Sequence, residues 1–186
     1  DPKKRPKASE AFELFMLHAA EQSQDALEAL QDTGIIGAPV GQETVLSSLH
    51  EILQKGLKQG AGLTLEGESG CGKTSLAQWA AGAALLYGFN VPGGVRPASH
   101  GNLSELWRLS NNGKLPRAPQ PGEDATTLKW QRFSELALNL EKLTQQRPTA
   151  FIFDDVPFES PLFEFGSFLN RRGLPKGLAW IQTTPP

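Results

Sequence analysis

Gly67-Glu68-Ser69-Gly70-Cys71-Gly72-Lys73-Thr74 fits the pattern G-x-x-x-x-G-K-[ST] at every fixed position, and its flanks indicate the fold around it. A short apolar run, Leu63-Thr64-Leu65, precedes it and suits a buried strand. A helical pattern follows from Lys73 to about Tyr87 and is closed by Gly88. Glycines let the backbone curl until successive N–H groups converge on one anion. A helix beginning at Lys73 adds the positive end of its dipole. The ligand such a loop suits is a nucleotide triphosphate, here expected to be ATP with Mg²⁺. Gly67, Glu68, Ser69, Gly70, Cys71, Gly72, Lys73, Thr74 and Ser75 would form the cradle. The Lys73 ammonium would serve the β- and γ-phosphates, and the Thr74 hydroxyl the metal.

A Mg²⁺-nucleotide site also needs a carboxylate on a neighbouring strand. Thr149-Ala150-Phe151-Ile152-Phe153-Asp154-Asp155 is a continuous apolar strand ending in two of them. Asp154 is assigned to the metal, together with Thr74. Asp155 is assigned to orienting or activating the attacking water, with Glu159 and Glu164 as fallback bases. A last strand, Leu178-Ala179-Trp180-Ile181-Gln182-Thr183-Thr184, ends in hydroxyl residues and is stopped by Pro185-Pro186.

Helical spacing fills the intervals between these strands. Residues 9–32 read as a helix on Phe12, Phe15, Met16, Ala19 and Ala20, and a second runs from about Glu43 to Leu57 on Val45, Leu49, Ile52 and Leu53. A short helix through Leu103, Leu106 and Trp107, a longer one over 124–146 and one opened by Ser160-Pro161 follow. The stretch 88–101 reads as loop with a short strand at Val95-Arg96, and 111–123, with three prolines, as an exposed loop. Helices alternating with short apolar strands imply an α/β fold in three layers, a parallel sheet flanked by helices. The organisation expected is a basic tail and N-terminal helical segment over 1–34, then a nucleotide-binding core over 35–186. Trp79, Trp107, Trp130 and Trp180 all fall on apolar faces and are expected in the core.

Composition narrows the function classes. The 186 residues carry a net charge of −2, with 39% hydrophobic and 20% charged residues, which gives no overall push toward nucleic acid or membrane. No apolar run approaches the roughly 20 residues that span a bilayer. The single cysteine, Cys71, lies inside the glycine loop, so no internal disulfide forms, and the three histidines are scattered. A reducing, cytoplasmic setting is expected. The opening Asp1-Pro2-Lys3-Lys4-Arg5-Pro6-Lys7 reads as a solvated linker, with a nuclear-import signal or a phosphate-backbone contact as alternatives. A chain opening at Asp1 also reads as an excised piece of something longer.

Four stretches together resemble the AAA+ ATPases within the wider P-loop class: Ile36-Gly37-Ala38-Pro39-Val40-Gly41-Gln42 with its following helix, the glycine loop, the Asp154-Asp155 strand, and Trp180-Ile181-Gln182-Thr183-Thr184. The Asp-Asp ending and the Thr-Thr-Pro-Pro close are similar to bacterial replication initiators, helicase loaders and transposase-helper ATPases. Viral replication helicases also use an Asp-Asp strand. The resemblance implies a catalytic polar residue near the γ-phosphate at Thr183 or Thr184, beside Lys73 and Asp155, and adenine contacts from Ile35, Ile36 and Gly37. It implies an ATPase that forms a homo-oligomer with nucleotide and acts on nucleic acid or its handling proteins.

Three departures accompany the resemblance. Lys73 and Asp154 stand farther apart than these motifs do in compact relatives, so 88–123 reads as an insertion. No helical lid with its sensor arginine follows the last strand, and no clear arginine finger lies beyond it. Arg171 and Arg172, at a helix end beside Gly173, read as a solvated helix terminus, with reach to a neighbour's nucleotide as the alternative. Two rivals stand beside the ATPase: a nucleotide-switched signalling or scaffold protein with slow turnover, and a small-molecule kinase using Arg96, Arg108 and Arg117. A GTPase is disfavoured, because no Asn-Lys-x-Asp motif exists and Asp155-Val156-Pro157-Phe158 lacks the switch glycine. Leu109-Ser110-Asn111-Asn112-Gly113 does not match the transporter signature.

Overall fold

A computed structural model describes residues 41–97 and 103–186. The expected helix over 9–32, the basic tail and the adenine-side candidates Ile35, Ile36 and Gly37 lie outside the described residues. In chain order the elements are α1 (Glu43–Gln59), β1 (Ala61–Glu66), α2 (Lys73–Leu86), β2 (Val95–Pro97), α3 (Leu103–Ser110), α4 (Ala125–Gln146), β3 (Thr149–Asp154), α5 (Pro161–Arg172) and β4 (Leu178–Thr184).

The four strands form one sheet in the order β1-β4-β3-β2, with every pairing parallel. Parallel strands with helices on both faces must be apolar on both sides. β3 and β4 at the centre are buried on both sides, β4 along its whole length, apolar from Leu178 to Ile181 and polar at Gln182, Thr183 and Thr184. Alternate residues of these strands feed two cores. Ala150, Ile152, Ala179 and Ile181 pack with Leu49, Leu53 and Leu57 of α1 and Leu76, Trp79, Ala80 and Ala83 of α2. Phe151, Phe153, Leu178 and Trp180 pack with Leu106 and Trp107 of α3, Phe133, Leu136 and Leu140 of α4, and Leu162, Phe165 and Leu169 of α5. The sheet is therefore filled between two helical layers.

Local chemistry sets the helix starts. Asp124 caps α4 by accepting from the Thr127 N–H at 2.7 Å. Ser160 caps α5 through the Phe163 N–H at 3.2 Å, with Pro161 in the first helical turn. α5 lies close to the sheet at Gly166, where an added Cβ would stand 2.8 Å from Gln182 Oε1 and 2.9 Å from Trp180 Nε1. Gln182 is buried in the sheet yet hydrogen-bonded: its Oε1 accepts from Trp180 Nε1 at 2.9 Å and its Nε2 donates to Thr64 Oγ1 at 3.2 Å. Gly166→Ala is expected to lower stability by about 1–3 kcal/mol through overpacking against that pair. Chemical denaturation checks this, and an unchanged midpoint would mean that α5 can shift without cost.

The segment 88–123, expected as an insertion, supplies part of the sheet itself. β2 falls where the short strand was expected and pairs with β3, Arg96 opposite Phe153. Arg96 is buried, ion-paired with Glu105 of α3, and donates through Nε to the Pro92 carbonyl at 2.9 Å. Arg117 pairs with Glu123 across the loop before α4, holding the Glu123 carboxyl down to about 2. Arg132 Nη2 on α4 donates to the Arg117 carbonyl at 2.9 Å. These pairings commit Arg96 and Arg117, two of the three arginines a kinase would need.

Trp130 departs from the expected core position. It stands 39% exposed near the start of α4, with its ring edge-on to Phe133 and Lys129 Nζ 5.1 Å from its centroid. Trp79, Trp107 and Trp180 are buried as expected. No described helix is long and apolar enough to cross a membrane.

Candidate functional site

β1 hands the chain to α2 on one face of the sheet, and β3 hands it to α5 on the other. In open parallel sheets the crevice between such diverging connections, at the carboxyl ends of the strands, is where ligands bind. Three sequence-derived stretches end at that edge: the glycine loop after β1, Asp154-Asp155 after β3, and Thr183-Thr184 at the end of β4. β4 lies between the other two strands, with Glu66 opposite Thr184 and Phe153 opposite Gln182.

The loop 67–72 is shaped by glycine. Gly70 and Gly72 have φ of +83° and +92°, which side chains on Cβ disfavour. Gly72 is also the residue from which α2 starts, and it offers no side-chain cap. The first N–H groups of α2 are thus left for an anion. Gly67 is constrained by proximity, since a Cβ there would stand 2.7 Å from Cys71 Sγ. Cys71 accordingly acts as a small residue folded across the loop. The Lys73 ammonium donates to the Gly67 carbonyl and, at 2.8 Å, to the Glu68 carbonyl. Two of its three protons therefore tie the loop's beginning to its end, and the third is available to a ligand.

A hydrogen-bonded relay joins this loop to the two central strands. Thr74 Oγ1 donates to Asp154 Oδ2 at 2.7 Å, and Thr183 Oγ1 donates to Asp154 Oδ1 at 2.6 Å. The Asp155 N–H donates to Thr183 Oγ1 at 2.8 Å. Asp154 thus takes one hydroxyl on each oxygen, from residues far apart in sequence. Asp155 is exposed and sits at φ +57°, an unusual setting for a residue with a Cβ. It is held there by its bond to Thr183 and by the Val156 N–H donating to the Thr183 carbonyl at 2.8 Å. Backbone held in a sparsely populated region tends to mark function.

The two terminal threonines part company. Thr183 faces Asp154. Thr184 points to the other face of the sheet, where its hydroxyl donates to the Val156 carbonyl at 2.7 Å and supports the turn after β3. Of the pair assigned near the γ-phosphate, Thr183 alone is brought to the site, because adjacent strand residues face opposite ways. Glu164 is committed elsewhere, within 3.1 Å of Lys129 Nζ across α4 and α5. Glu159 is exposed in the loop after β3, and Ser75 is exposed one residue into α2 from Thr74. Arg171 and Arg172 end α5 at the opposite edge of the sheet from the loop.

A hydroxyl and a carboxylate 2.7 Å apart are hard oxygen ligands. Mg²⁺ prefers one or two carboxylates, waters and substrate phosphates to a full protein cage. By that donor chemistry Thr74 with Asp154 fits the ion.

One contact had no signal in the sequence pattern. Gln42, just before α1, donates through Nε2 to the Cys71 carbonyl at 2.8 Å, so the loop is supported from outside by a side chain 29 positions upstream. Comparison with protein-family models, curated proteins and solved structures finds no match to this chain.

Proposed function

We propose that the chain is a P-loop ATPase of the AAA+-like kind, binding Mg²⁺-ATP at the 67–74 loop and hydrolysing it with Asp155. The observation that carries this reading is the relay from Thr74 through Asp154 and Thr183 to the Asp155 backbone. A glycine loop alone would suit many anions. A glycine loop hydrogen-bonded to an acidic strand end suits an anion that arrives with a divalent cation. Thr74 and Asp154 would hold Mg²⁺, which when bound neutralises developing phosphate charge. Lys73 would bind the terminal phosphates, Thr183 would position Asp154 and Asp155 together, and Asp155 would orient the attacking water.

Asp155→Asn tests the division of labour between binding and turnover. Asn also tolerates the left-handed backbone, so the turn should survive. Nucleotide affinity is expected to stay near that of the wild type, while turnover falls by about a hundredfold or more, the usual loss with a general base. Wild-type turnover in this variant would move the base to Glu159, the exposed carboxylate nearest in sequence.

The biological setting proposed is nucleotide-dependent homo-oligomerisation in the service of nucleic acid or its handling proteins. In such an assembly Arg171 and Arg172, which end α5 away from the chain's own glycine loop, would be the arginines offered to another copy's nucleotide. Hydrolysis that rises with protein concentration and with added DNA or RNA would agree with this setting. Tight binding without hydrolysis, even when assembled, would favour the nucleotide-switched scaffold.

A further inference from the structure

The contact from Gln42 to the glycine loop bears on how the loop binds an anion. In a trans peptide the C=O and N–H point to opposite sides of the chain, and no described peptide bond is cis. The Cys71–Gly72 peptide has its carbonyl drawn outward to Gln42 Nε2 at 2.8 Å. Its N–H, on Gly72, is therefore turned the other way. That N–H makes no hydrogen bond within the described residues, and it belongs to the residue that opens α2. Reversing this one peptide would aim a carbonyl oxygen where the loop otherwise offers a donor. Glycine on one side of a peptide makes such a reversal cheap, since Gly populates positive and negative φ about equally. An external clamp therefore has something to decide.

The geometry points to Gln42 as a positioning residue that locks the Cys71–Gly72 peptide with its N–H facing the phosphate seat. The inference rests on the proposed nucleotide site and adds a residue that the glycine-loop pattern does not contain. Two further features support the clamp. Gln42 itself is fixed, because its carbonyl accepts from the Leu46 N–H at 3.0 Å as the first bond of α1. A Cβ at Gly72 would stand 3.0 Å from Gln42 Nε2, so Gly72 leaves the space through which the amide reaches the loop. Only a donor suits this position: a carboxylate on the same stem would face the Cys71 carbonyl with like polarity.

The test compares wild-type protein with Gln42→Ala and Gln42→Glu, titrated with Mg²⁺-pyrophosphate and with a non-hydrolysable ATP analogue. Melting of the ligand-free protein is followed in parallel. Gln42→Ala is expected to weaken pyrophosphate and the analogue alike, by about fivefold to tenfold, the size of one hydrogen bond. Gln42→Glu should weaken both further. Ligand-free melting should hold, since neither core nor the relay around Asp154 changes. Loss of the analogue alone, with pyrophosphate unaffected, would overturn the inference by assigning Gln42 to the base or sugar. An equal loss in both that tracks a lowered melting midpoint would overturn it as a purely structural role, and unchanged affinity would overturn it outright. Wild-type protein that binds neither probe would instead overturn the nucleotide site on which it rests.

Discussion

Lys73→Ala is expected to weaken Mg²⁺-ATP binding by on the order of a hundredfold or more, to the point where titration detects none. The ammonium has two functions that alanine removes together. One is the charge-assisted bond to phosphate, about twice as strong as a neutral hydrogen bond. The other is the tie from the Lys73 ammonium to the Gly67 and Glu68 carbonyls, which holds the loop's opening turn against the start of α2. Neither contact reaches the two cores, so the variant should melt where the wild type does. Calorimetric titration with an ATP analogue, paired with a melting curve, separates the effects. Undiminished affinity in the folded variant would refute the assignment of the loop.

Asp154→Asn is expected to abolish the help that Mg²⁺ gives to nucleotide binding. In the native chain both carboxylate oxygens accept hydroxyl protons, from Thr74 and Thr183, and the negative charge is the one the metal would meet. Asparagine keeps the shape but offers one acceptor oxygen and an NH₂ in place of the other. One of the two hydroxyls must then turn round, and no charge remains for the cation. The expected result is ATP-analogue affinity that is the same with Mg²⁺ as with a chelator, at least tenfold below the wild-type value in Mg²⁺, about 1.4 kcal/mol. A Mg²⁺ response equal to that of the wild type would place the metal on other residues.

Much of this architecture is legible in the sequence because the physics behind it is local. β3 from Ala150 to Phe153 and β4 from Leu178 to Ile181 are apolar on both faces and so appear as unbroken runs. α5 announces its start with Ser160-Pro161, and the glycine loop sits between a strand and a helix as the pattern requires. What was not legible depends on pairing at a distance. Nothing in Leu178–Thr184 alone says that this strand lies between β1 and β3, yet that placement is what puts Thr183 against Asp154. Strand alternation tells that Thr183 and Thr184 face opposite ways, while choosing between them needs the register with β3. The αL turn at Asp155 is likewise set by β4, through Thr183, and leaves no local signature beyond the tolerance of Asp for that conformation.

Other features depend equally on distant packing. The stretch 88–123 reads as an insertion from the separation of Lys73 and Asp154, and its turn residues, Gly88, Pro92, Gly93 and Gly94, surround only three residues of strand. Those three nonetheless complete the sheet, and the helix that follows places Leu106 and Trp107 in the core. Trp130 has helical spacing with Phe133, but near the start of α4 it packs at the rim, beside Phe133 and Phe168, and stays 39% exposed. The support from Gln42 is a single side-chain bond across 29 positions, with no periodicity to betray it. Its polar character, immediately before a helix, is equally that of an ordinary cap.

The central claim is that the 67–74 loop and Asp154 together form one Mg²⁺-triphosphate site. Backbone amide resonances of the wild-type chain, followed by NMR while a non-hydrolysable ATP analogue is added with Mg²⁺, test it most directly. The expected result is saturable movement centred on Gly70, Gly72, Lys73 and Thr74, extending to Asp154, Asp155 and Thr183 when Mg²⁺ is present. Absence of binding, or binding that leaves those amides unmoved, would contradict it.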